Sequence, residues 1–290
     1  MLASNTCNME GFRDAMNEAQ LTVGEVSVNY EDRGRPETGA APLVLLHGYL
    51  GSTADWAAVL PRLAECRRVL AYDHRGHGMS GKPGRADAYT FDALTEDLHA
   101  FLTGLDLGEV DLLGHSMGGV VAQRYTLAHP DRVRSLILMD TAPEPTRGPL
   151  SWVVRIVGMV VRRRGMGALG KLVKLLSKGE VGPGGIDREQ RDRQTAAFLG
   201  MDPEAFAAFG RALGSYPSLV GRLSEISCPT TVLVGARDKT LRVGIRQLVG
   251  GIADAQLVVI EGAGHNPQTE QPAAWLAAVA DHFERLEDNA

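Results

Sequence analysis

Gly114-His115-Ser116-Met117-Gly118 constrains this chain more than any other segment. It stands between a strand-like run, Val110–Leu113, and a helix-like run, Gly118–Ala128, that closes at His129-Pro130. Only a sharp turn joins a strand directly to a helix. Gly-X-Ser-X-Gly supplies one, because strand and helix atoms crowd the residues on either side of the serine. The turn lifts the Ser116 hydroxyl out at the carboxyl edge of a sheet. It also sets it at a helix N-terminus, whose dipole favours developing negative charge.

The rest of the chain supplies that sheet. Apolar runs rich in Val, Leu and Ile recur at Leu43–Leu46, Arg68–Tyr72, Val110–Leu113, Ser135–Met139, Thr230–Val234 and Gln256–Ile260. They are nearly continuous rather than alternating, as parallel strands covered on both faces require. Leu21–Tyr30 alternates and predicts an antiparallel edge. Helical patterns fill the gaps at Thr53–Ala64, Thr90–Gly104, Gly118–Ala128, Val243–Gly250 and Pro272–Leu286. Strand and helix in alternation predict an α/β fold with a mostly parallel central sheet flanked by helices.

One stretch, 143–225, breaks the alternation. It carries helical patterns interrupted at Gly148-Pro149, Gly182-Pro183-Gly184-Gly185 and Tyr216-Pro217, and no strand pattern. A structureless loop of that length is improbable, so the stretch reads as a helical cap inserted between two core strands. The expected organisation is an N-terminal extension at 1–20, a core at 21–142 and 226–290, and a cap at 143–225.

A serine hydroxyl needs a base to become a nucleophile. Of eight histidines, His265 lies in Gly262-Ala263-Gly264-His265-Asn266-Pro267, directly after the strand Gln256–Ile260. Glycines before a histidine at a strand end suit a loop that places a base over the nucleophile. His47, His74, His77 and His115 lie in or beside other turns and read as structural. His99, His129 and His282 fall on helical segments and read as surface or capping residues. The base needs an orienting carboxylate, and both Asp238 and Asp140 follow strands at the carboxyl edge. Asp238 is favoured because it puts acid and base on consecutive strand ends; Asp140 stays open as a fallback. After Leu43–Leu46, the turn His47-Gly48-Tyr49-Leu50-Gly51-Ser52 can aim the Tyr49 N–H at a reacting carbonyl oxygen. The Met117 N–H would supply the second oxyanion donor.

Together these residues resemble the α/β-hydrolase fold family. The matching segments are HGYLGS at 47–52, YDHRGHGMSGKP at 72–83, GHSMGG at 114–119, LVGARD at 233–238 and GAGHNPQTEQP at 262–272. The resemblance implies a triad of Ser116, Asp238 and His265, with Tyr49 and Met117 at the oxyanion positions. It implies scaffold roles for Asp73, Arg75 and His77, and equates 143–225 with a helical cap. The chain departs from the pattern at Lys239-Thr240-Leu241, where many relatives carry a proline. Serine at 116 argues against the dehalogenase and epoxide-hydrolase branches. It leaves carboxylesterases, monoacylglycerol-type lipases, enol-lactone hydrolases, carbon–carbon bond hydrolases and perhydrolase-like enzymes, of which carboxylic ester hydrolysis is the broadest class. A non-catalytic ligand-binding protein on the same fold is the alternative from another class, but a pure receptor has no need of all three triad residues.

Composition narrows the partners. A formal net charge of −5 gives no global pull toward nucleic acid. Three dispersed cysteines, Cys7, Cys66 and Cys228, form no CxxC pair, so neither a disulfide framework nor a zinc site is expected. No cofactor or metal is implied. The first residues lack a basic and an apolar signal region, and a cytoplasmic location is the expectation. Residues 152–178 stand apart, with seven Arg and Lys and no Asp or Glu, interleaved with apolar side chains. A basic amphipathic segment of this kind can lie on an anionic membrane surface.

Overall fold

A computed structural model describes residues 18–34, 39–145, 150–176 and 188–288, without the side chains at 18, 150–155 and 172–176. Eight strands form one sheet: β1 Glu18–Val23, β2 Val26–Arg33, β3 Leu43–Leu46, β4 Val69–Tyr72, β5 Val110–His115, β6 Val133–Met139, β7 Thr230–Gly235 and β8 Ala255–Ile260. Their spatial order is β1-β2-β4-β3-β5-β6-β7-β8. β2 runs antiparallel to both neighbours, and from β4 to β8 every pairing is parallel.

The helices are α1 Leu60–Ala64, α2 Phe91–Gly104, α3 Met117–Ala128, α4 Leu150–Arg164, α5 Met166–Leu176, α6 Arg188–Gly200, α7 Pro203–Ala212, α8 Arg242–Gly251, α9 Pro267–Glu270 and α10 Pro272–Asp288. The period of two along a strand divides the core into two layers. Val44, Leu46, Leu70, Tyr72, Leu112, Leu136 and Val232 pack with α2, α3 and α8. Leu43, Leu45, Val69, Ala71, Leu113, Ile137 and Leu233 pack on the other side with α1 and with Trp275, Val279 and Phe283 of α10. From β3 to β7 successive residues thus bury on opposite faces, which is why these strands read as continuous apolar runs; β8, at the edge of the sheet, is instead open on one side, with Leu257 and Val259 exposed.

Two local expectations change. Leu21–Tyr30 is not one strand but a hairpin. Gly24 takes a left-handed φ of 55°, a conformation that costs glycine little, and so turns the chain between β1 and β2. Glu18, Ala19 and Gln20, expected in the N-terminal extension, already belong to β1; residues 1–17, with Cys7, lie outside the described residues. Thr53–Ala64 is not one helix either. A 3₁₀ turn, Thr53–Trp56, is capped by Ser52 and precedes α1, where Pro61 permits a start but no continuation from upstream.

Between β6 and β7 lie α4 to α7, with no strand among the described residues. Phe206 and Phe209 of α7 join the first core layer. Asp202, which caps α7 through the Glu204 N–H, also accepts hydrogen bonds from Tyr89 and from the Gly84 N–H, so this helical layer is tied to the loops above the sheet. Among the described residues no helix is long and apolar enough to cross a membrane.

Candidate active site

Parallel register carries the site residues to one edge. Leu46 pairs with Gly114, His115 with Met139, Met139 with Leu233, and Gly235 with Ile260. The segments leaving β3, β5, β6, β7 and β8 therefore emerge side by side at the carboxyl end of the sheet, the edge where open α/β sheets bind ligands.

Ser116 occupies the turn between β5 and α3 with φ 52° and ψ −112°, a strained conformation for a residue with a side chain. The surroundings hold it there. Its N–H donates to the Met139 carbonyl at 2.9 Å, and its own carbonyl accepts the Thr141 hydroxyl at 2.7 Å. A Cβ on Gly114 would stand 2.5 Å from the Gly118 oxygen, and one on Gly118 would stand 2.3 Å from the Leu46 oxygen. The two glycines are thus required because backbone, which cannot swing aside, occupies the space.

His265 faces this serine, with Nε2 3.1 Å from the Ser116 Oγ. On its other side Nδ1 lies 2.5 Å from Oδ2 of Asp238. The geometry fixes the tautomer: Nδ1–H donates to the carboxylate, and the Nε2 lone pair faces the serine hydroxyl. Burial works against charge on Asp238. Hydrogen bonds from His265 and from the Thr240 hydroxyl and N–H outweigh it and hold this carboxyl down at about 2. Thr240 takes part in the stretch that lacks the expected proline, and a side chain that binds Asp238 stands in its place.

Asp140, the open alternative, does not hold the imidazole. Its Oδ1 accepts the Gly235 N–H at 3.2 Å. It lies close by all the same: one ligand-type atom each from Asp140, Asp238 and His265 fall within 4.8 Å of one another. Two ligands of one ion at ordinary bond lengths of about 2.0–2.2 Å stand further apart than the 2.5 Å between His265 and Asp238. The trio is therefore a hydrogen-bonded set rather than a metal cage.

The oxyanion candidates sit beside the serine. Met117 opens α3, where first-turn N–H groups have no intrahelical acceptor. Gly48 packs so closely that a Cβ there would lie 3.2 Å from the Ser116 Cβ, which brings the following residue, Tyr49, to the same place. The loop is fastened from below by Asp73, which accepts the N–H groups of Thr53 and Met79 at 2.7 and 2.8 Å. Arg75 makes a buried two-pronged pair with Asp97, both contacts at 2.6 Å. Asp73 and Arg75 thus stand in scaffold contacts, as does His77, whose ring packs on Phe209.

Other site contacts were not assigned from the sequence. His115 is buried and donates from Nε2 to the His265 carbonyl at 2.7 Å, so the residue before the nucleophile fixes the loop that bears the base. Glu270 of α9 accepts the N–H groups of Gly264 and Asn266, at 2.8 and 3.1 Å, and clamps the same loop from the other end. The only sequence signal for Glu270 was its place inside the 262–272 segment. His282 needs correction: it is not a surface residue but is buried between the hydroxyls of Thr231 and Ser135, at 2.8 and 3.0 Å. It lies three residues after Val279, on the inward face of α10.

Residues 41–163 match the family model described as alpha/beta hydrolase fold. The chain is 28% identical over 268 residues to 2-hydroxymuconate semialdehyde hydrolase of Pseudomonas sp. (strain CF600), covering 90% of this chain and 92% of that protein. The crystal structure of an enol-lactonase from Burkholderia xenovorans LB400 superposes with a TM-score of 0.78 at 26% identity, covering 92% of this chain and all of that one. A thermophilic esterase from Thermogutta terrifontis gives 0.76 at 28% identity over 93% and 99% of the two chains.

Proposed function

The chain belongs to the α/β-hydrolase fold family, and from that premise we propose that it is a serine hydrolase cleaving a carboxylic ester through an acyl-enzyme. One observation carries the reading: His265 lies 3.1 Å from the Ser116 hydroxyl and 2.5 Å from Asp238. A nucleophile, a base in hydrogen-bond reach and an acid orienting that base are the parts covalent acyl transfer needs.

In this reading the Ser116 oxygen attacks the ester carbonyl while its proton passes to Nε2 of His265. Asp238 stabilises the imidazolium, and the Tyr49 and Met117 N–H groups bind the tetrahedral oxyanion. Collapse expels the alkoxide, which leaves as alcohol with the proton from His265. A water then gives its proton to His265 and attacks the acyl-enzyme, and the acid departs as Ser116 recovers its hydrogen.

The test is labelling by a fluorophosphonate. Wild type should label and Ser116→Ala should not; a well-folded wild type that stays unlabelled refutes the reading and favours a binding protein. A carbon–carbon bond or enol-lactone substrate for the same triad is the second reading, supported by what the Pseudomonas and Burkholderia relatives are named for. Hydrolysis of esters of increasing acyl length discriminates: a rise with chain length supports a lipophilic ester, and inertness to all simple esters supports the second reading.

The helical layer supports a lipid-side approach for such a substrate. α4 packs on α7, with Gly158 against Ala207, and turns Ile156, Met159 and Val160 outward at 46–58% exposure beside exposed Arg163, Arg164 and Lys171. The other side chains of 152–178 at 152–155 and 172–178 lie outside the described residues. We propose that this face rests on anionic lipid, the apolar residues entering the interface and the cations meeting headgroups.

A further inference from the structure

Asp140 is an aspartate that the proposed chemistry does not use, and its setting is unusual on three counts. It is fully buried, at 0% exposure. Its backbone takes a left-handed φ of 42°, so the carboxyl is held in place at the cost of strain. Its Oδ1 is satisfied by the Gly235 N–H, but its Oδ2 has no hydrogen-bond donor.

The carboxyl also stands among acids. Asp238, on the loop after β7, and Glu270, on α9, are the negative groups that face it, and His265, after β8, is the titratable base beside them. Gly235 of β7 contributes a neutral donor. An anionic Asp140 would leave a buried oxygen without a donor, set against the charge that Asp238 keeps for His265. Two carboxyl oxygens repel when both are bare, but bond when one carries a proton. The orphaned Oδ2 is then no defect, because it is the hydroxyl and not an acceptor.

We infer that Asp140 is a positioning residue, a neutral carboxylic acid whose Oδ2–H hydrogen-bonds the Asp238 carboxylate and keeps that carboxylate aimed at Nδ1 of His265. The inference rests on the triad reading for its consequence in catalysis, but not for the protonation itself. Burial, opposed in part by the Gly235 N–H and reinforced by Asp238 and Glu270, pushes this carboxyl up to about 8, in keeping with a neutral acid at pH 7. The proton stays on Asp140 throughout turnover. Asp140 acts through Asp238 and touches neither Ser116 nor the substrate. The arrangement also explains how two acids, after β6 and β7, can share one edge of the sheet while only one is ionised.

The test reads protonation directly in the wild-type protein. With ¹³C-carboxyl aspartate, one resonance should fall in the protonated range at pH 7, move to the ionised range as pH rises past about 8, and be missing in Asp140→Asn. Absence of a protonated aspartate at pH 7 overturns the inference. The low-field Nδ1 proton of His265 gives the positioning readout: it should persist in Asp140→Asn, whose amide still donates, and broaden in Asp140→Ala. On p-nitrophenyl butyrate, kcat should fall about tenfold in Asp140→Ala, the cost of losing one buried hydrogen bond to a charge, with the asparagine variant recovering most of that loss. Asparagine as impaired as alanine would mean that a charge is required, and alanine equal to wild type in both readouts would mean that nothing is positioned; either result overturns it. The resonance readouts need no turnover, so a protein that fluorophosphonate fails to label defeats the serine chemistry while leaving this test intact.

Discussion

The Tyr49 hydroxyl donates to the Phe206 carbonyl at 2.7 Å, joining the oxyanion loop to α7 of the layer above the site. Burial raises this phenol far above its ordinary range, so it stays a donor at any working pH. The N–H expected to bind the oxyanion and the hydroxyl that grips α7 thus belong to one residue. Tyr49→Phe keeps the backbone N–H and removes only the grip, while the Phe206 carbonyl keeps its place in the helical ladder of α7. We expect a loss of about 0.5–1.5 kcal/mol in stability by urea unfolding. We also expect kcat to fall more than KM rises, because only the oxyanion loop loosens. An unchanged kcat would show that the loop holds its place unaided.

Five buried histidines predict how the protein fails in acid. Burial holds His47 and His282 down at about 4, and His77 and His115 at about 3, and it drives His74 well below its ordinary value. The unfolded chain takes up these protons near pH 6.5, whereas the folded chain refuses them until pH 4 or lower. Their contribution to stability is therefore fully present above pH 6.5 and is lost as pH falls toward 4, at about 1.4 kcal/mol per pH unit for each. Since a domain has only about 5–15 kcal/mol to lose, cooperative unfolding is expected near pH 5, followed by circular dichroism. Neither ring nitrogen of His74 has a hydrogen-bond partner, so His74→Leu should move the acid midpoint to lower pH. A midpoint unmoved by that change would show that these histidines do not govern acid unfolding.

The Ser116, His265 and Asp238 arrangement was legible in the sequence because each residue is tied to a strand end. Parallel strands in register leave little freedom in where their ends lie. The choice between Asp238 and Asp140 was not fully legible, since both follow strands and only side-chain direction separates them. His115 and Glu270 escaped because they act on the backbone of the His265 loop, and any residue with a donor or acceptor could do that. His282 was misread because a polar side chain on a helix looks exposed until its two hydroxyl partners, on β6 and β7, are brought together by the fold. The Gly24 turn was missed because the apolar pattern continues on both sides of it.

The α4 face predicts a measurable affinity for anionic membranes. Vesicles containing phosphatidylserine should sediment the protein, and vesicles of phosphatidylcholine alone should not. Each Arg or Lys near the surface adds about 1 kcal/mol to such binding. Arg163→Glu together with Arg164→Glu should therefore weaken it by more than tenfold, and raised salt should do the same. Replacing Met159 by Ser should weaken it without altering the salt dependence. Failure to bind the anionic vesicles would refute the lipid-side approach and leave ester hydrolysis untouched.

Gly118 and Gly119 test the turn itself, because alanine meets a different obstacle at each. At Gly118 the added Cβ would stand 2.3 Å from the Leu46 carbonyl oxygen, backbone at the end of a central strand. At Gly119 it would meet Cβ, Cγ2 and Oγ1 of Thr141, each at 2.6 Å, so rotating that side chain gives no relief and the loop after β6 must shift, at the expense of the bond from the Thr141 hydroxyl to the Ser116 carbonyl. Overpacking costs about 1–3 kcal/mol, and only at Gly118 must the first turn of α3 move away from β3. That movement carries the Met117 N–H away from Ser116. Gly118→Ala should therefore slow fluorophosphonate labelling about a hundredfold, as loss of one oxyanion donor does. Gly119→Ala should destabilise the fold by a similar amount in urea while labelling within about tenfold of wild type. Equal labelling rates in the two variants would show that the space beside β3 does not set the position of the Met117 donor.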